Sequence, residues 1–222
     1  MSALDPRRGV DGADPSPMMR RAIKKSSVLA KCFFKRLIDF TISVLAVVLL
    51  SPAIVVIAAA IKIDSSGPIV IRQECTGLGG RRFFLFKFRT IRCVELRANE
   101  SSPKEKRDSL TNVGRCLEAS HLDQLPHMIN ILLGDMSFVG PKPYGLRQDR
   151  AFAQMIEGYN DRFLVRPGLI GPDRRRGLDF ENNIPLNLRK CLDSDIEYIE
   201  SWTINSDLKR IANSFLNYVK FS

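Results

Sequence analysis

Histidine is almost missing from this 222-residue chain: His121 and His127 are the only two, which argues against a histidine-built metal centre. Cysteine is sparse and odd in number. Cys32, Cys75, Cys93, Cys116 and Cys191 contain no C-x-x-C pair, which argues against a disulfide framework and a zinc site and fits a reducing compartment. Acidic residues are in deficit, 24 against 34 Lys plus Arg, so the net charge is +10. That balance calls for an anionic partner: nucleic acid, an acidic membrane surface or a phosphate-bearing substrate. Nucleic acid is the weakest of the three, because no motif of the known binding modules is present. The aromatics also lie in an apolar alternation rather than among exposed basic residues. A P-loop is absent, since the glycine turn Gly77–Gly80 beside Arg81 and Arg82 lacks its Gly-Lys-Ser/Thr end. A plain hairpin turn is the better reading of those glycines.

What is present begins with an apolar fraction of 45%, enough for a sizeable core in one domain, or one domain plus an appended segment. Residues 1–30 are polar and proline-bearing and end in Arg20, Arg21, Lys24 and Lys25. They read as a disordered tail with a basic patch suited to anionic lipid; a solvated charge cluster is the alternative. No secretory signal peptide is expected, because no small-residue cleavage site follows the next apolar run.

That run, Phe40 to Ile61, is 22 residues without a charge. As one helix it would be about 33 Å long, enough to cross a hydrocarbon core of about 30 Å. Ser51-Pro52 near its middle predicts a kink. The arms on either side, 11 and nine residues long, each reach roughly half a bilayer, about 14–16 Å. Positive charge flanks both ends, so no orientation is selected. Either a re-entrant hairpin or a kinked spanning helix satisfies these facts.

A short β region follows: Ile69–Arg72 as a strand, the glycine turn, then the alternating Arg82–Arg89 with Phe84, Phe86 and Phe88 facing one way. Residues 98–112 read as a polar, mobile loop. The stretch around Asp123 is the focus of the chain. Leu125, Met128, Ile129, Leu132 and Leu133 repeat at helical spacing, Ser120 or Asp123 can cap, Pro126 suits a first turn, and Gly134 can stop the helix. A carboxylate at a helix mouth, where free N–H groups gather, is either a simple cap or a group placed for chemistry. Beyond it, Gly171–Asn187 reads as a basic loop with Arg174-Arg175-Arg176, and Leu192 to Phe215 as amphipathic helix, with Trp202 and Tyr218 either interfacial or buried.

The chain resembles the monotopic phosphoglycosyl transferases, bacterial sugar transferases that start glycan assembly on a polyprenyl phosphate. The resemblance runs from about Lys35 to about Ile211. It rests on K-R-L-I-D-F, the Ser51-Pro52 break, D-S-S-G-P-I-V-I-R-Q-E, G-x-x-G, K-F-R-T at Lys87–Thr90 and L-D-Q-L-P. It continues with Asn130–Pro143, V-R-P-G-L-I-G at Val165–Gly171, D-x-x-Y-I at Asp195–Ile199 and Asp207-Leu208-Lys209. Each motif alone is weak; their order and spacing together are specific. The short N-terminus is like that of the small members of the family.

The resemblance implies an α/β fold, mostly helical α+β, in three parts. These are the tail (1–30), a re-entrant membrane helix (31–64) broken at Ser51 and Pro52, and a phosphoglycosyl transferase domain (65–222) on the cytoplasmic face of the bacterial inner membrane. It implies transfer of a sugar-1-phosphate from a UDP-sugar to undecaprenyl phosphate, with Mg²⁺, initiating exopolysaccharide or another surface glycan. Lipids of that membrane and downstream glycosyltransferases are the implied partners, and nucleic acid is not one. Asp123 would be the nucleophile, with Gln124 beside it. Asp195 would assist catalysis or hold metal. Arg72, Lys87, Arg89, Lys142 and Arg166 would contact phosphate or nucleotide, and Pro141 and Pro143 would shape the loop that carries Lys142.

Departures from the family pattern gather around the same motifs. Gln124 stands where the family usually has Glu, which removes a charge a hard cation prefers. Lys142 replaces an Arg and loses its bidentate fork. Glu118 replaces a frequent Arg, His121 a small hydroxyl residue, His127 a Gln, and Pro172 a Trp or similar residue. The two histidines read as surface residues. A weakened or inactive membrane-bound relative that binds nucleotide sugar or partner enzymes is the alternative.

Overall fold

The computed structural model describes residues 33–92, 109–172 and 184–221. The basic tail, the polar stretch 98–108, Arg174–Arg176 and the Tyr218 side chain lie outside the described residues. Among the described residues the fold is mostly helical, with two small two-stranded sheets.

Helix α1 (Phe33–Asp64) is 32 residues long and contains Pro52. Its most apolar 18-residue window has a mean hydropathy of 2.9, and that run and the helix's length are those of a helix able to cross a membrane. Val48, Leu49, Val55 and Val56 are exposed along it, an apolar surface water would penalise. Ser51 and Pro52 lie inside this helix rather than in a turn. Proline at 52 has no N–H for the Val48 carbonyl four residues back. The Ser51 hydroxyl donates to that same Val48 oxygen at 2.8 Å. The serine thus supplies the bond the proline removes, which matters most where no water can do so.

Strand β1 (Val70–Thr76) and strand β2 (Arg82–Phe88) form one sheet, joined through a 3₁₀ turn at Leu78–Gly80. Gly79 and Gly80 have φ of 65° and 77°, a conformation that favours glycine. The alternation expected along β2 holds only in part: Phe88 is buried, but Phe84 is 49% exposed while Leu85, on the other face, is buried. The strand therefore uses both faces.

Helices α2 (Asn112–Ala119) and α3 (His127–Leu133) follow, then strand β3 (Ser137–Val139) and helix α4 (Leu146–Met155). A 3₁₀ segment (Tyr159–Leu164), strand β4 (Gly168–Ile170), helix α5 (Ile184–Ser201) and helix α6 (Ile204–Phe221) complete the described elements. Strands β3 and β4 are parallel, with Ser137 opposite Gly168 and Val139 opposite Ile170. The basic loop expected to reach Asn187 ends earlier, because α5 begins at Ile184; Pro185 then falls in a first turn, where its missing N–H is harmless. Leu188, Leu192, Ile196 and Ile199 line the buried face of α5.

The described residues form two compact units. One comprises residues up to Asp39, Glu74–Phe83 and those from Leu133 onward; the other comprises Phe40–Gln73 and Phe84–Leu132. The second unit has a core of Ile61, Phe88 and Leu117, with Ile54, Ile57, Ile69, Val113, Leu122 and Leu125 packed against it.

Candidate active site

Asp123 sits in the second unit, but not as a cap of α3. Ser120 closes the helix before it: Ser120 is the C-cap of α2, and its hydroxyl donates to the Cys116 carbonyl at 2.7 Å. His121 then takes a left-handed conformation, φ 55°, the one positive φ outside glycine among the described residues. That reversal turns the chain into a 3₁₀ turn, Leu122–Gln124, with Asp123 at its centre. The free donors expected around the carboxylate are mostly committed. The N–H groups of Gln124, Leu125, Met128 and Ile129 donate to the carbonyls of His121, Leu122, Leu125 and Pro126. The reading of Ser120 as an N-cap is therefore corrected, and helix N–H groups are a smaller resource than expected.

The turn is held by its neighbours instead. Leu122 and Leu125 flank Asp123 in sequence and pack on the core that includes Ile54, Ile57 and Ile61 of α1. Asp123 is half-buried, and its Oδ1 is sheltered from solvent. The nucleophile candidate is thus pinned between two apolar anchors to one end of the apolar helix.

α3 differs from its expected pattern. Met128 and Ile131 face inward, but Ile129 and Leu133 are exposed, and Asn130 is fully buried. Asn130 explains the choice of face. Its amide nitrogen donates to the Phe84 carbonyl at 2.7 Å, and its oxygen accepts from the Phe86 N–H at 3.0 Å. A polar side chain that satisfies two backbone groups of β2 outweighs the apolar stripe. His127 is buried too, against expectation, while His121 is exposed.

The basic candidates of this unit divide. Arg72 is exposed on β1, its guanidinium 5.8 Å from the Phe86 ring centre. Lys87 is half-buried on β2. Arg89, expected as a phosphate contact, is 1% exposed and donates to the carbonyls of Ile61, Ser65 and Ser66 at 3.3, 2.6 and 3.0 Å. Those bonds cap the C-terminus of α1, where a cation satisfies orphan carbonyls and the helix dipole. At the same end, the Asp64 carboxylate accepts from the Val113 N–H of α2 at 3.1 Å. Glu118 accepts from the Thr90 hydroxyl at 2.9 Å.

Pro141, Lys142, Pro143, Arg166 and Asp195 belong to the other unit. Pro141–Pro143 follow β3, whose close approach to β4 needs glycine: a Cβ on Gly168 would lie 2.1 Å from the Gly140 nitrogen. Two of the three loop residues have no N–H, so carbonyls must anchor the segment. The Pro141 carbonyl accepts from the Gly168 N–H at 2.9 Å. The Lys142 carbonyl accepts from Arg162 Nη2 at 2.7 Å.

Arg162, which no motif singled out, lies at the centre of a buried network. Its Nη2 is 3.1 Å from Asp195 Oδ2, with both side chains 4% exposed. Its Nη1 donates to Tyr159 Oη at 2.7 Å, and that hydroxyl donates to Asp149 Oδ1 at 2.7 Å. The Tyr144 and Tyr159 rings sit 4.7 and 5.2 Å from the guanidinium carbon. Burial pulls the Arg162 pKa down, but Asp195 and the tyrosines outweigh it and the net shift is upward. Burial also raises the Asp149 pKa, against bonds from Tyr159 and others. Arg166 donates from Nε to the Gly134 carbonyl at 2.8 Å; its pKa is lowered, by burial first and then by Arg36.

A second charged network joins the start of α1 to α6 within this unit. Lys35 pairs with Asp207. Tyr198 Oη lies 3.0 Å from Asp207 Oδ1 and 3.1 Å from the Val139 carbonyl. Trp202, half-buried, donates from Nε1 to Asp207 Oδ2 at 2.9 Å. Both aspartates of the downstream motifs, Asp195 and Asp207, are therefore committed to cations. A polar cavity of about 580 Å³ opens between Gly171–Pro172 and Ser206, Lys209 and Arg210 of α6. None of the expected site residues lines it.

Residues 30–221 match the family model for bacterial sugar transferases. The chain belongs to the bacterial sugar transferase family. Curated relatives agree. A UDP-glucose:undecaprenyl-phosphate glucose-1-phosphate transferase of Caulobacter vibrioides is 38% identical over 175 residues, 79% of this chain and 66% of that protein. A transferase of the same description from Escherichia coli is 34% identical over 79% of this chain and 38% of its own length. The exopolysaccharide production protein PSS of Rhizobium leguminosarum is 31% identical over 80% of this chain and 90% of that protein. The chain thus spans less than two thirds of several of the sugar transferases it matches.

For magnesium, the donor set decides what fits. Among the described residues, no three His, Cys, Asp or Glu side chains gather as a metal cluster. Asp195, expected as a ligand, is held by Arg162. Mg²⁺ often takes only one or two protein ligands and completes its shell with substrate phosphates and water. Toward that mode the Asp123-Gln124 pair offers one carboxylate and one amide oxygen.

Proposed function

We propose that this sugar transferase moves a sugar-1-phosphate from a UDP-sugar to undecaprenyl phosphate through a covalent intermediate on Asp123. A carboxylate oxygen of Asp123 attacks the sugar-bearing phosphorus, the bond to the bridging oxygen breaks, and UMP leaves with that electron pair. An oxygen of undecaprenyl phosphate then attacks the same phosphorus. The Asp123 carboxylate is released, and a polyprenyl diphosphosugar is formed. A carboxylate is a weak nucleophile, so the protein's work is placement and charge neutralisation. Leu122 and Leu125 place Asp123 through the apolar core. Arg72 and Lys87 in the unit of Asp123, and Lys142 and Arg166 in the other, are the proposed phosphate contacts. Mg²⁺ carried on the diphosphate would spread phosphate charge, with the Gln124 amide oxygen a weaker ligand for it than a carboxylate.

The observation that carries this reading is Asp123 fixed in a short turn against α1, in a chain whose relatives are named for this reaction. α1 would dip into the cytoplasmic leaflet of the inner membrane, bent at Ser51-Pro52, and return both ends to the cytoplasm. Such a transfer would initiate exopolysaccharide or another surface glycan. UMP release from a panel of UDP-sugars, with undecaprenyl phosphate and Mg²⁺, is the test. Release that is lost in Asp123→Asn supports the reading; release retained in that variant removes Asp123 as nucleophile. Cysteines placed at the two outer ends of α1 should label from one side of the membrane, and labels on opposite faces reject the re-entrant form. A second reading, an inactive nucleotide-sugar-binding relative, draws on Gln124, Lys142 and Glu118, and requires that no UDP-sugar in the panel yield UMP.

A further inference from the structure

We propose that Arg162 is the positioning residue for Lys142, and that Asp195 acts in the reaction by holding Arg162 rather than by binding metal. The proposal rests on the reading of Lys142 as a phosphate contact. A loop of sequence Pro-Lys-Pro offers one N–H in three residues, so its pose depends on what grips its carbonyls. Gly168 grips the first and Arg162 the second, at 2.9 and 2.7 Å. Arg162 is itself fixed on every side. Asp195 lies 3.1 Å from Nη2, and Tyr159 Oη accepts from Nη1 at 2.7 Å. The Tyr144 ring, one residue beyond the loop, covers the guanidinium at 4.7 Å. A planar fork is needed to reach a carboxylate, a phenol and a carbonyl together; a lysine ammonium presents one point charge and cannot.

Asp195 is 3% exposed, so its charge is tolerable only beside a partner. Arg162 provides that partner, and the pair in turn keeps the guanidinium aimed at the Lys142 carbonyl. The side chain of Lys142 is half-buried and departs from a backbone held within hydrogen-bond tolerance. Releasing the carbonyl frees the backbone that carries the ammonium, and a displacement of about 1 Å in a reacting geometry costs about 100-fold in rate.

The test uses the full chain in lipid vesicles with a UDP-sugar panel and undecaprenyl phosphate, in Arg162→Lys, Asp195→Asn and Lys142→Ala and their pairs. Turnover and the KM-against-kcat split are read beside hydrogen exchange of the peptide spanning residues 140–145. Arg162→Lys and Asp195→Asn should each lower turnover by about 100-fold and speed exchange in that peptide. In a Lys142→Ala background either change should cost no more than about 2-fold. Losses that multiply with that of Lys142→Ala, or unchanged exchange over 140–145, overturn the proposal. Asp195→Asn keeps the side chain's shape, so it serves if Arg162→Lys does not fold. If the unsubstituted chain transfers no sugar, the transferase reading falls, and the exchange measurement alone decides whether Arg162 holds the loop.

Discussion

The two segments most exposed to the proposed chemistry are held by opposite kinds of force. The Asp123 turn is fastened by hydrocarbon: Leu122 and Leu125 pack on Ile61, Phe88 and Leu117, beside Ile54 and Ile57 of the apolar helix. The Pro141–Pro143 loop is fastened by charge: Arg162, Asp195, Tyr159 and Asp149 form one buried network beneath it. Apolar packing is non-directional and insensitive to pH. A buried ion pair is directional and fails abruptly when one partner is lost. Asp123, the proposed nucleophile, therefore sits on a tolerant support, and the Pro141–Pro143 loop on a brittle one.

Breaking the brittle side should have the largest effect on stability. Arg162→Met leaves Asp195 buried without its cation, and thermal or denaturant unfolding in detergent should show a loss of about 3–5 kcal/mol. Next comes the backbone of the same unit. Gly168→Ala drives a methyl to 2.1 Å from the Gly140 nitrogen, and the strand pair should lose about 3 kcal/mol or more in the same assay. On the apolar side, Leu122→Ala removes one anchor of the Asp123 turn. About 2 kcal/mol is expected, since the leucine is only partly buried, with turnover reduced and no change in its pH profile. A loss as large as that of Arg162→Met would erase the distinction between the two supports.

The pH dependence sharpens the contrast. Burial raises the pKa of the Asp149 carboxyl above its ordinary value of 3.8. The folded state therefore holds a proton that the unfolded chain has released, in the window between 3.8 and the raised value. The stability this group contributes is complete below 3.8 and is lost as pH rises through its folded pKa. Asp149→Asn keeps an acceptor for Tyr159 and removes the titration. Its stability relative to the parent should be most favourable at neutral pH, and the advantage should shrink towards pH 3.8. Leu122→Ala should show no such trend. The smallest effect is expected in α1: Ser51→Ala strips the hydroxyl from the Val48 carbonyl, worth about 1 kcal/mol, read as helix stability in vesicles.

Much of this was legible beforehand. The apolar helix, the glycine hairpin, and the L-D-Q-L-P and Pro-Lys-Pro segments all stood out in the residues, and family membership followed from their order. Periodicity failed where one polar side chain outweighed an apolar stripe, as Asn130 does in α3. Ser120 is ambiguous in sequence because a serine can close one helix as readily as open the next, and only the left-handed His121 reveals which. Arg89 and Asp195 carry charges that suit phosphate or metal, and both bond internal partners. No local pattern distinguishes a cation that caps a helix from one that binds a ligand. Arg162 lay in no pattern at all, because its partners come from four separate stretches of chain: Lys142–Tyr144, Asp149, Tyr159 and Asp195.

The sharpest test of the account is the intact mass of the protein after mixing with its UDP-sugar donor, with no polyprenyl phosphate added. A gain equal to one phosphosugar, located by peptide fragmentation at Asp123, absent from Asp123→Asn and discharged when undecaprenyl phosphate is supplied, is the result expected. Turnover with no adduct at any time, or an adduct that persists in Asp123→Asn, would contradict it.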